Sequence, residues 1–191
     1  MVGHAREQSK REVNVVGIDP AVGVTGLCRY RDGHYVLDIA RGGKFRGGKR
    51  LVWLRQQILE TVLACPTDLV ALEDYAINAV GRSFTKGELG GVIKLELALH
   101  DIPCITVAPA RLKIFASNNG GASKETMIRC ARERLGVDTD DDNLADAAWL
   151  ARYAYVYLTE DSNRRRELEA VQRHKAPKKR KAAVPKPRRA I

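Results

Sequence analysis

The sequence predicts a mixed α/β sheet with helices on both faces, and three observations carry that reading. Three strand-like runs come first, at 13–19, 23–32 and 34–42. Helical and strand-like patterns then alternate, and the described pattern closes on a long alanine-rich helical stretch. A meander followed by alternating helix and strand is the signature of such a layered sheet. Its expected strand order is 3-2-1-4-5, with strands one and four side by side.

Each element has a local reason. "VNVVGID" (13–19) is a β-branched apolar run ending in an acid, as a central strand would. "GVTGLCRYRD" and "HYVLDIARG" meet at Asp32-Gly33, a strong hairpin signal. Over 49–64, Leu51, Leu54, Ile58 and Val62 recur at helical spacing, and Pro66 follows the end. "TDLVALEDY" (67–75) is a buried strand running into Glu73. Residues 86–100 read as a helix, "PCITVAP" (103–109) as a short strand and "ARLKIFAS" as a short helix. "NNGGAS" is a loop, with Ser123 the expected N-cap of a helix over 124–135 that turns Met127, Ile128, Ala131 and Leu135 to one side. The last helix is expected from about 141 to 158, with a more charged extension toward 173. There is no internal repeat. The domain plan is a polar arm (1–12), one folded domain (13–160) and a basic tail (161–191).

Charge separates the tail from the rest. The whole chain carries +10, and residues 164–191 hold 12 Lys and Arg against 2 acids, so the tail accounts for all of it. Its three prolines and scarce large apolar residues predict disorder. Lys178, Lys179, Arg180 and Lys181 are its densest run, suited to sequence-blind attraction of nucleic-acid phosphates. A solubilising tail is the plainer alternative, and "PKKRK" also matches a nuclear import pattern. No apolar run is long enough to span a membrane. The polar start carries no apolar secretory core, and Cys28, Cys65, Cys104 and Cys130 are too far apart to pair as metal ligands. These features point to a cytoplasmic protein with reduced core cysteines.

Ligand sites of such sheets lie at the carboxyl ends of strands. Asp19 ends the first strand and Glu73 the fourth, so adjacency of the two strands brings both carboxylates to one edge. Asp146 interrupts an apolar helical stretch, with Asp142 and Asn143 four and three residues before it on the same face. Converging carboxylates repel unless a cation neutralises them, and hard oxygen donors suit Mg²⁺ or Mn²⁺. Two such ions can activate a water and stabilise a leaving oxygen. Taken singly, Asp19 before Pro20 also fits a turn, Glu73 a strand-end salt bridge and Asp142 a helix N-cap. Asp146 has no such easy alternative.

Together, "GIDPAVGVTGLCRY", "LVALEDY" and "NLADAAWLA" resemble the successive acidic motifs of RuvC-type Holliday junction resolvases, in the ribonuclease H-like superfamily. "APARLKIFASNNGGASKETM" resembles the stretch between them in bacteriophage-type members. The resemblance covers roughly 13–158, in order. It implies a metal-dependent crossover junction endodeoxyribonuclease, with two ions per site and a metal-activated water nicking symmetric strands of branched DNA to leave 5′-phosphate and 3′-hydroxyl ends. It implies Asp19, Glu73 and Asp146 as metal-binding carboxylates. Asn143 stands where the family usually has a fourth carboxylate, so Asn143 or Asp142 is left as the remaining ligand. Lys124 matches a lysine near the scissile phosphate and Lys113 a basic position upstream. The resemblance further implies a homodimer through the helix at 86–100, where Gly87, Gly90 and Gly91 permit close approach. Tyr75 and Phe84 flank the loop where related enzymes carry a junction-wedging aromatic; plain packing is the alternative for both.

Rival readings remain. The first motif alone also resembles the phosphate hairpin of actin-like ATPases and sugar kinases, but one domain cannot supply their two halves. The same nuclease chemistry on forks, flaps or RNA–DNA hybrids stays open, as does a non-catalytic DNA-binding module of this fold.

Overall fold

The computed structural model describes residues 12–74 and 83–159. Strands β1 (Asn14–Asp19), β2 (Val24–Arg31) and β3 (His34–Arg41) form the expected antiparallel meander. Its hairpin turns at Asp32 and Gly33, both at positive φ (48° and 89°), a backbone that Asp and Gly tolerate well. Helix α1 (Gly47–Leu63) leads to β4 (Leu69–Glu73), which lies parallel to β1, and α2 (Ser83–Leu99) leads to β5 (Cys104–Val107), parallel to β4. The sheet order is β3-β2-β1-β4-β5. Helices α3 (Pro109–Ser117), α4 (Lys124–Cys130) and α5 (Asp142–Thr159) follow.

Four local expectations need correction. Helix α2 begins three residues before Lys86, because Ser83, Phe84 and Thr85 already carry helical backbone. Pro109 opens α3 rather than ending a strand, its fixed φ and missing N–H suiting a first helical turn. The expected helix over 124–135 is α4 followed by a π-helical turn, Ala131–Leu135, which closes on Gly136 at φ 69°. The cysteines are free, as expected, but only Cys28 and Cys130 are buried; Cys65 and Cys104 are half-buried. Ser123 caps α4 as expected, its hydroxyl accepting from the Thr126 N–H at 3.3 Å.

Strand parity divides the core. Val16, Ile18, Leu27, Val70 and Leu72 pack with Leu54, Ile58 and Val62 of α1 and with Leu89, Ile93 and Leu97 of α2. The alternate residues Val15, Gly17, Asp19 and Leu69, Ala71, Glu73 therefore face the other side. There α5 lies across the sheet with Ala145, Ala147, Ala148, Ala151 and Ala154 fully buried. Two glycines set how near it comes. A Cβ on Gly17 would stand 2.1 Å from the Ala147 carbonyl oxygen, and one on Gly26 would stand 2.1 Å from that of Asn143. Both contacts are with backbone that cannot yield, so any larger residue would lift α5 off β1 and β2.

Candidate active site

The close seating of α5 positions the acids. The register pairs Ile18 with Leu72, leaving Asp19 and Glu73 as the next residues of two parallel neighbours, on the face that α5 covers. Asp19 is 6% exposed. Asp146 sits on the second turn of α5, and Asp142 one turn before it on the same face. Asp19 Oδ1 and Asp146 Oδ1 are both buried without a hydrogen-bond partner among the described residues. A buried, unpartnered carboxylate oxygen is costly enough to call for a cation or a proton.

Proton affinities report the same crowding. Burial, then the Asp19 carboxylate beside it, pushes Glu73 up to about 9; Lys86 opposes the rise. Burial, with Asp19 and Asp142 nearby, pushes Asp146 up to about 7, against the pull of Lys113 and Lys124. Asp19 is raised by burial and held back by Lys86 and by a hydrogen bond from Glu73. Electrostatically, the three acids behave as one cluster.

Three lysines answer them. The Lys86 ammonium lies 3.8 Å from Asp19 Oδ1 and 3.7 Å from Glu73 Oε2, between the two carboxylates. Sequence reasoning missed this residue; the only signal was a lone cation in the first turns of the helix that follows the acid strand. Lys124, the first residue of α4, pairs with Asp142. Lys113 on α3 is near enough to Asp146 to lower its proton affinity.

The N-cap reading of Asp142 is overturned. Asp141 caps α5, its Oδ1 accepting from the backbone N–H of Asn143 at 2.8 Å and of Leu144 at 3.4 Å. Asp142 is thereby released toward Lys124. The Asn143 amide nitrogen also donates to Asp141 Oδ1, at 3.0 Å. Tyr75 and the tail residues Lys178, Lys179, Arg180 and Lys181 lie outside the described residues, as does the side chain of Phe84.

Among the described residues no three His, Cys, Asp or Glu side chains close into a metal cage. Lys86 stands between Asp19 and Glu73 and supplies positive charge there. The donor set still fits a hard divalent ion: carboxylate oxygens only, two of them buried without a hydrogen bond among the described residues, with affinity for positive charge raised by mutual repulsion.

A ribonuclease H-like sheet with acids gathered at the carboxyl edge of its central strands, under the helix that covers them, defines the class of this protein. No protein-family model matches the chain. A crossover junction endodeoxyribonuclease RuvC of Nitratidesulfovibrio vulgaris (strain Hildenborough) is 33% identical over 134 residues, which cover 67% of this chain and 81% of that protein. The chain belongs to the RuvC family of crossover junction endodeoxyribonucleases. Its fold matches the RuvC structure of Thermus thermophilus with a TM-score of 0.64 at 21% identity, covering 76% of this chain and 95% of that one. The T. thermophilus RuvC in complex with a Holliday junction substrate matches with a TM-score of 0.62 at 21% identity, covering 73% of this chain and 90% of that one.

Proposed function

We propose that this chain nicks four-way DNA junctions at the Asp19–Glu73–Asp146 edge. One observation carries the reading: three acids from β1, β4 and α5 are packed together in a family of junction endonucleases, all three with proton affinity raised by burial, and Glu73 and Asp146 further raised by neighbouring acids. Acids alone would repel a phosphodiester. Divalent cations, Mg²⁺ or Mn²⁺, would supply Lewis acidity and charge neutralisation when bound, with two ions the expected number. Asp19, Glu73 and Asp146 would hold them. Asp142 or the Asn143 amide oxygen would complete the set, and Asn143, being neutral, would bind the second ion weakly.

The protein's own groups then divide the work. Lys124, fixed by Asp142, offers an ammonium to the phosphate and to charge developing on it in the transition state. Lys113 adds positive charge on the Asp146 side. The expected products are 5′-phosphate and 3′-hydroxyl ends. The basic tail adds sequence-blind affinity. If it neutralises about 4–6 phosphates, truncation after Ser162 lowers the salt slope of binding by roughly 4–5 on every DNA.

Symmetric nicking requires two sites, and the surface of α2 suits a second copy. Leu95 and Leu99 are 59% and 68% exposed. A Cβ added at Gly87, Gly90 or Gly91 would meet nothing within 4 Å, so packing within this chain does not demand glycine there. No described helix is long and apolar enough to cross a membrane, so these leucines are not part of a helical span.

The test is a substrate panel. Synthetic four-way junctions, forks, flaps, RNA–DNA hybrids and linear duplex are incubated with the protein and Mg²⁺ or Mn²⁺, and the nicks are mapped. Paired nicks on opposite strands of the junction are expected. Preference for forks, flaps or hybrids would move the substrate, and binding without cleavage in either metal would leave a DNA-binding module. Light scattering at micromolar concentration is expected to give a dimer mass.

A further inference from the structure

The ten residues "RGGKFRGGKR" (41–50) run from the last residue of β3 through the connecting loop into the first turn of α1, and hold five cations, four glycines, one phenylalanine and no acid. Outside the tail the chain is charge-balanced, with 21 cations and 21 acids in its first 163 residues. Among the described residues none of the five cations forms an ion pair, whereas Arg31, Arg55, Arg129 and Arg132 all do. Arg41, Lys44, Arg46 and Lys49 are exposed. Unneutralised like charges this close in sequence repel one another, so their concentration points to an anionic partner.

The turn is held firmly and sits on the active-site edge. Strand β3 runs parallel to β1 two strands away, so Arg41 leaves the sheet at the same end as Asp19. The Gly42 N–H donates to the Gly23 carbonyl, in the loop that follows Asp19, at 3.0 Å. Trp53 Nε1 and Gln57 Nε2 both donate to the Arg41 carbonyl, at 3.0 and 3.1 Å. The Phe45 and Trp53 rings meet at 5.4 Å. The backbone is therefore ordered before any ligand arrives, and little freedom remains to be lost on binding.

We propose that the 41–50 turn is a second DNA contact, clamping the phosphate backbone of the duplex arm that leads into the active site. This rests on the junction-nicking reading above. Two strand spacings of about 4.8 Å, plus the two residues by which Arg41 overshoots the level of Asp19, put the turn roughly 10–12 Å from that acid. At 3.4 Å per base pair, this is roughly three to four base pairs from the cut. Exposed lysines and arginines among glycines suit phosphates, which carry no sequence information, so the contact sets position on the arm rather than base preference.

The experiment compares the full-length wild type with Lys44→Gln/Arg46→Gln/Lys49→Gln by fluorescence anisotropy on a four-way junction, without divalent metal, across a salt series. The triple variant should bind roughly tenfold or more weakly near 0.1 M salt, with a salt slope lower by about 2–3. Its nicking rate at subsaturating junction should fall in step with its affinity. Neutral methylphosphonates placed roughly three to four base pairs from the cut should weaken the wild type to the level of the variant and leave the variant unaffected. The same substitutions far out on the arm should preserve the difference. Unchanged affinity and slope in the variant would overturn the proposal. So would a loss indifferent to methylphosphonate position, which would make the turn only a diffuse positive charge. If the triple variant melts lower than the wild type, Lys44→Gln and Lys49→Gln are measured singly, each expected to lower the slope by about one. A wild type that binds the junction but nicks no branched DNA would sink the junction-nicking reading while leaving the binding comparison readable.

Discussion

Two glutamates with little of their side chains exposed lie on opposite sides of this sheet, and they behave in opposite ways. Glu96 on α2 is 9% exposed, and Arg55 on α1 grips both its oxygens at 2.6 and 2.7 Å. That guanidinium holds the Glu96 carboxyl below the usual range. Glu73, on the α5 face, has acids for neighbours and a lysine no nearer than 3.7 Å, and its carboxyl is pushed up to about 9. The two side chains are similarly shielded from solvent, so exposure alone does not separate them. What differs is whether the fold brings a matched donor. At Glu96 it does, and the pair ties α1 to α2. Around Glu73 the fold brings more acids, and the proposed divalent ion is what would offset that cost.

The sharpest way to break this comparison is to neutralise each acid in turn. Glu73→Gln and Asp146→Asn should each slow junction nicking by at least about a hundredfold, since the charge-dependent stabilisation they remove is worth several kcal/mol. Junction affinity should hold or tighten, as negative charge facing DNA is lost. Glu96→Gln should leave the nicking rate untouched. Equal cleavage by the Glu73→Gln variant and the wild type would remove Glu73 from the site.

Metal dependence gives the next effect. Lys86→Met removes a cation standing where an ion would bind, so the Mn²⁺ concentration for half-maximal binding, measured by calorimetry without DNA, should fall by roughly three- to tenfold. Asn143→Asp should lower it as well, and Asp142→Ala should raise it. If all three were silent, the ions would not be held by α5 or sensed by Lys86.

The pH dependence of stability is a subtler contrast. A Glu73 carboxyl raised to about 9 keeps its proton in the folded state while the unfolded chain has lost it. The metal-free melting temperature should therefore fall as pH rises from about 5 toward 9, because the folded state binds more protons across that window. Asp146, raised to about 7, adds to the fall in the lower part of the range. Glu73→Gln should flatten the curve, and saturating divalent metal should reverse it. Glu96, whose carboxyl is lowered, contributes stability at neutral pH that is lost only in acid. The smallest effect is then the loss of the Arg55 pair: Glu96→Gln should lower the melting temperature modestly at pH 7 and leave its fall between pH 5 and 9 in place.

Much of this was legible in the chain itself. The β-branched runs, the Asp32-Gly33 turn and the alternation of periods determine the elements and the 3-2-1-4-5 order, because local propensity and burial agree at each of them. Asp19 and Glu73 were readable as neighbours because strand ends follow from strand order, and Asp146 because a carboxylate within an apolar stretch needs a reason. Only the tertiary structure decided the rest. Gly17 and Gly26 are unremarkable in sequence, yet the backbone contacts they allow set the height of α5 and bring Asp146 down to Asp19. Asp141, rather than Asp142, is the cap, because adjacent acids differ only in which way the helix start turns them. Lys86 reaches the acid pair from a helix that follows it in sequence, and the turn at 41–50 arrives at the Asp19 end of the sheet through two antiparallel strand pairings. Sequence periodicity states which side of an element is buried; distances between side chains on different elements depend on packing, which periodicity does not encode.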